Sequence, residues 1–179
     1  MKRISLLIYP LSILLEVAIC LKGDLLINNV SGTVSSLNDY LLTLILGFIL
    51  GISFSIALGK ICNMSIKILV FLSCLLPVFI PYFENGRIVI SNMHIIMAYA
   101  GFALLTSLTL YILFKLTMQN KKVKIVLRLY ILMLMIILAL NLNFMVINNL
   151  MELIYLVSSS LTYGYIKLNE DNFVTLDCI

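Results

Sequence analysis

Six apolar runs, Ile4–Leu21, Leu41–Gly59, Ile68–Phe83, Met93–Met118, Val126–Phe144 and Leu150–Ile166, cut this chain into lengths suited to crossing a bilayer. A helix rising about 1.5 Å per residue covers about 30 Å of hydrocarbon in roughly 17–25 residues. Hydrocarbon offers no water to the backbone, so each such run must bond its own amides as a helix. With 63% of residues hydrophobic and only 11% charged, the chain lies outside the range of water-soluble domains. The expected fold is all-α: a polytopic integral membrane bundle of six transmembrane helices over residues 1–166, followed by a short cytoplasmic tail, 167–179, whose composition leaves it open to disorder.

Orientation follows from the basic residues. Lys2 and Arg3 precede the first run, Lys60 and Lys67 flank the turn between the second and third, and Lys115, Lys121, Lys122, Lys124 and Arg128 crowd the connection between the fourth and fifth. The alternate connections hold Lys22 with Asp24 and Asp39, then Glu84 with Arg87, then no charge around Asn143–Asn149. The positive-inside rule therefore expects both termini in the cytoplasm, in what reads as a bacterial cytoplasmic membrane. Because the basic residues sit where topology needs them, the net charge of +4 does not point to nucleic acid. The bilayer is the expected partner, through anionic headgroups near Lys121–Arg128. Glu16 interrupts the first run and no small-x-small cleavage site follows it, so an uncleaved first span is expected. The sequon Asn29-Val30-Ser31 falls in the longest external loop, Gly23–Asp39, where surface variability is the simplest reading.

Several chemistries are not supported. Cys20, Cys62, Cys74 and Cys178 form no CxxC and no metal-ligand spacing, so buried free thiols are expected. His94 is the single histidine, which excludes multi-histidine metal sites, and neither HExxH nor GxSxG occurs. No enzyme activity, metal or cofactor is expected.

In the second run Gly47, Gly51, Ser55 and Gly59 recur every four residues, which lines them along one helical face. Small residues let helices approach closely where lipid supplies no hydrophobic drive. The expected neighbour is a helix of the same chain, with a second copy or a partner protein as the alternative. Pro10, Pro77 and Pro81 each lack an amide hydrogen and free carbonyls that need partners inside the bundle.

The polar residues within the runs carry the functional expectation. Glu16, Glu152 and His94 fall at comparable depth toward the external side, and Asn141 joins them, with Asn143, at the outer end of the fifth run. An ionisable group at that depth is costly unless paired, hydrated or neutralised, so an external pocket formed by Glu16, His94, Asn141 and Glu152 is expected to bind or move a small amphiphile or ion. The competing expectation is structural: Glu16 pairs with Lys22, His94 caps its helix beside Glu84 or Arg87, and Glu152 reaches the interface. In the sixth run Glu152, Tyr155, Ser159 and Thr162 share one face, which suits either a hydrated path or a hydrogen-bonded helix seam. Two further roles remain open from sequence, an accessory subunit of a membrane complex and, more remotely, a lipid-modifying enzyme.

The segment from Pro77 to Phe102, PVFIPYFENGRIVISNMHIIMAYAGF, places prolines at the outer end of the third run, a short loop, a histidine opening the fourth and small residues a turn later. It resembles six-span bacterial membrane proteins that are distantly similar to the Frag and DRAM group. That resemblance implies a six-helix bundle with cytoplasmic termini and carries over Pro81, His94 and Ala98 as motif positions. Span number and length are also similar to the small substrate-binding subunits of vitamin transporters, although the first run lacks their alanine-rich face and the chain has no tryptophan.

Overall fold

The computed structural model describes residues 2–22, 26, 37–80, 88–144 and 148–176. Among them are six α-helices: α1 (Lys2–Cys20), α2 (Leu37–Ala57), α3 (Met64–Phe79), α4 (Ile88–Gln119), α5 (Val123–Phe144) and α6 (Asn149–Leu168), with one 3-10 turn, Glu170–Asn172, and no strand. Each expected run falls on one helix. The Asn29-Val30-Ser31 sequon, most of the Gly23–Asp39 loop, Pro81, Glu84, Arg87 and Cys178 lie outside the described residues.

Among the described residues three helices, rather than six, are both long and apolar enough to cross a membrane: Tyr40–Ala57, Asn92–Gln119 and Val123–Phe144. Leu6–Cys20 and Met64–Phe79 are apolar but shorter. α6 has the length and lacks the apolarity, because serines, threonines, asparagines and tyrosines occupy its inward positions. α5 reverses the pattern of a soluble helix, turning Ile131, Leu132, Met135, Ile136, Leu138 and Leu142 outward. A continuous apolar exterior of that kind is costly in water and suited to hydrocarbon.

Every helix packs on its predecessor in the chain, and α6 closes the ring against α1 while also reaching α2. Tyr9 sits against Gly164, Glu16 against Ser160 and Cys20 against Asn149, so α1 and α6 run antiparallel. Thr106 and Thr109 meet Tyr155 and Tyr163 in ascending order, so α4 and α6 run parallel. The α2–α3 turn, the α4–α5 turn and the C-terminal segment therefore share one end, here called the basic end. Phe54 of α2 stacks on Tyr163 of α6 with ring centroids 4.2 Å apart, filling the space between them.

The small-residue stripe of α2 faces α3 of the same chain. A Cβ at Gly47 would lie 2.7 Å from Val78 Cγ2 and 3.2 Å from the Cys74 carbonyl, and one at Gly51 would lie 2.8 Å from the Phe71 ring and 3.1 Å from its carbonyl. Ser55 donates to the Lys67 carbonyl at 2.9 Å, continuing the contact. Gly59 lies past the helix in the turn, where φ is +28°, a conformation that L side chains rarely adopt. On the other side of α3, a Cβ at Gly101 of α4 would come within 2.8 Å of the Ser73 carbonyl and 2.7 Å of Pro77 Cδ. Pro77 has no amide to offer the carbonyl four residues back, and the bare Cα of Gly101 covers that oxygen.

The tail is ordered through Leu176, contrary to the disorder that its composition allows. Gln119, the last residue of α4, treats Val174 as a strand partner would: its Nε2 donates to the Val174 carbonyl at 3.2 Å and its Oε1 accepts from the Val174 amide at 2.9 Å. The Leu176 amide donates to the Ile61 carbonyl at 2.7 Å, and the Leu176 side chain is buried. Lys167 and Glu170 pair at 2.6 Å where α6 gives way to this strap.

Candidate functional site

α6 supplies most of the polar interior. Asn148 caps its start, accepting from the Met151 amide at 3.1 Å, and Asn149, Tyr155, Ser159, Ser160, Thr162 and Tyr163 are buried along it. These residues look in two directions, toward α1 and toward α4 and α5.

On the α1 side, Glu16 is fully buried. Its Oε1 accepts a hydrogen bond from Ser160 Oγ at 3.0 Å, and its Oε2 has no protein partner. Glu16 lies about a turn and a half deeper than Lys22 and faces Ser160 of α6. One turn outward, Asn149 donates to the Cys20 carbonyl at 3.2 Å, and Asn148 reaches the Leu26 carbonyl at 3.3 Å. Glu152 is half-buried near this end, and both it and Glu16 lie within Coulombic range of the Cys20 thiol. Burying a carboxyl away from water is costly unless it holds a proton or an opposite charge.

The four expected pocket residues are thus only partly gathered. Glu16, bonded to Ser160, and Glu152, in the first turn of α6, lie toward the same end of the bundle. His94 is buried on the other wall, where Nδ1 donates to the Ile80 carbonyl at the end of α3. This bond satisfies a carbonyl that the helix itself leaves open. Asn141 is half-buried on α5, and the neighbouring Asn143 donates to the Ala139 carbonyl at 2.7 Å on the same helix.

On the α4–α5 side, sequence periodicity picked out Tyr155 and Ser159 but neither the threonines of α4 nor Tyr163. Thr109 donates to the Leu105 carbonyl at 2.7 Å and pairs with the Tyr163 hydroxyl at 3.0 Å; Thr106 pairs with the Tyr155 hydroxyl at 3.1 Å. Tyr9 of α1 donates to the Ser53 carbonyl of α2 at 2.8 Å. The threonines recur three apart on α4, a signal visible in the sequence only once α6 is known to lie beside them.

Cys20, Cys62 and Cys74 are buried free thiols. Among the described residues no group of three or more His, Cys, Asp or Glu side chains is placed to hold a metal ion.

The class defined by this arrangement is an all-helical bundle with apolar helices of membrane-crossing length around a polar axis. Compared with family models, curated proteins and solved structures, the chain matches none.

Proposed function

We propose that this protein is a six-span integral membrane protein of a bacterial cytoplasmic membrane, with both termini cytoplasmic, that binds and moves a small ion or amphiphile through a polar pocket reached from the external side. The observation carrying this reading is Glu16: fully buried, bonded only to Ser160, with its second carboxylate oxygen unpartnered. A carboxylate so placed favours a cation or a cationic headgroup over an anion or a neutral lipid. Glu152, nearer the end opposite the basic turns, is the group an entering cation meets first. The orientation rests on the basic residues gathered at one end, and membrane crossing by α1, α3 and α6 rests on their being enclosed with three apolar helices in one ring.

The test is a thermal-shift series on detergent-purified wild type and Glu16→Gln with sodium, potassium, divalent cations and quaternary-ammonium amphiphiles. A ligand at a hundred times its Kd stabilises by about 2.7 kcal/mol. Stabilisation of wild type that Glu16→Gln loses supports the reading; responses identical in both proteins overturn it. Orientation is tested separately by an Asn120→Cys variant in intact cells, where an impermeant maleimide leaves a cytoplasmic turn unlabelled.

A second reading, an accessory membrane subunit whose polar groups only hold the bundle together, is favoured by the hydroxyls of Tyr9, Tyr155 and Tyr163, all engaged with neighbouring helices. The glycine stripe does not serve this reading as a docking face, since α3 occupies it. A partner or a second copy would dock on the apolar exterior.

A further inference from the structure

Six hydroxyl side chains converge between α4, α5 and α6, away from the Glu16 face. Thr106 and Thr109 come from α4, Tyr130 from α5, and Tyr155, Ser159 and Tyr163 from α6, spaced four apart so that one face presents all three. None carries a formal charge, and all but Thr106 are buried.

Their protons can be assigned. The Thr109 hydroxyl hydrogen goes to the Leu105 carbonyl, so Tyr163 is the donor in the Thr109–Tyr163 pair. Tyr155 has Thr106 at 3.1 Å and the Phe102 carbonyl at 3.5 Å. Two hydroxyls remain. Tyr130, 2% exposed, and Ser159, fully buried, have no hydrogen-bond partner. Ser159, Thr109, Tyr155 and Thr106 all lie near enough to the Tyr130 hydroxyl to act on its proton, though none is hydrogen-bonded to it. The α6 face of Tyr155, Ser159 and Tyr163 meets Thr106 and Thr109 of α4, so the two unused O–H donors and the lone pairs of the threonines lie together.

An ion does not suit that point. The cage is neutral, and a charge placed there in an apolar bundle goes uncompensated. A neutral acceptor able to donate in return does suit it. Buried polar groups without protein partners characteristically bind water, which makes about three hydrogen bonds. We propose that the cage formed by Thr106, Thr109, Tyr130 and Ser159 is a water-binding site, a hydrated station beside the axial helix. The water accepts from Tyr130 and Ser159 and donates to the two threonines. This inference involves none of the Glu16 contacts and stands apart from the ion reading.

The test is X-ray radiolysis of the purified full-length protein in oxygen-18-labelled water, read by mass spectrometry. Bound water generates radicals in place, so Tyr130 and Tyr155 are expected to be oxidised several-fold faster than Tyr9, which is equally enclosed but bonded to a carbonyl. Equal rates at all three overturn the proposal. Tyr130→Phe, or Ser159→Ala should that variant fail to fold, then separates a wet cage from a dry one. In a wet cage the substitution strands the water and lowers Tm, and in a dry one it removes an unsatisfied hydroxyl and raises Tm. A chloride, sodium or potassium salt that stabilises wild type but not Tyr130→Phe overturns the proposal in favour of an ion.

Discussion

Ser160 donates to Glu16 across 144 positions of sequence, the one hydrogen bond this buried carboxyl receives. Removing the donor leaves both carboxylate oxygens stranded. Ser160→Ala is expected to cost about 1–3 kcal/mol, the penalty of an unsatisfied buried polar group. Replacing both partners, Glu16→Leu with Ser160→Ala, is expected to recover most of that loss, since an apolar pair of similar volume needs no partner. Denaturation in micelles of the two single variants and the double variant measures the coupling, and additive losses would show that the bond contributes nothing.

The glycine contacts predict two different outcomes for the same chemical change. Gly47→Ala meets the tip of the Val78 side chain, so it is expected to cost about 1–3 kcal/mol alone and to be relieved by Val78→Ala. Gly101→Ala meets the Ser73 carbonyl and the Pro77 ring, neither of which can turn aside. Its loss is expected to be at least as large and not relieved by trimming any side chain. Thermal denaturation of the variants, with and without Val78→Ala, is the measurement.

These contacts also show what was legible in the sequence. A four-residue repeat of small side chains implies a close helix neighbour, and the stripe from Gly47 to Ser55 found one in α3. The helices themselves were visible because apolarity and length carry the signal locally. The pocket was less legible. Depth along a helix can be counted from residue numbers, and that is what puts Glu16 and Glu152 toward one end. Rotation about the axis and the order of helices around the ring cannot be counted, and these send His94 to the Ile80 carbonyl and leave Asn141 on α5. Ser160 was hidden for the same reason, one residue off the polar face that periodicity picked out.

Gln119 holds the strap through both amide atoms, so Gln119→Ala is expected to release Val174 while Leu176 keeps its bond to Ile61. Loss of two hydrogen bonds at about 0.5–1.5 kcal/mol each predicts an increase in local opening of roughly 5- to 160-fold. Protease cleavage within residues 169–176, followed against time under native conditions, reads it directly. An unchanged cleavage rate would mean that Leu176 burial alone fixes the strap.

Cys20, Cys62 and Cys74 are buried in three different parts of the ring. In native protein their modification by maleimide is expected to be slow and to rise together with denaturant, since exposure requires the bundle to open. Early labelling of Cys20 alone would instead reveal opening confined to the Glu16 end.

The position of α6 has a consequence for synthesis. It is the last of the six helices to leave the ribosome and the one least able to enter hydrocarbon by its own apolarity. Among the described residues its hydroxyls pair with Glu16 of α1 and with Thr106 and Thr109 of α4, which precede it in the chain. If all six helices cross the bilayer as proposed, insertion of α6 depends on earlier helices already waiting in the membrane, and truncations that delete α1 are expected to strand the final helix outside the bilayer even though its own sequence is untouched.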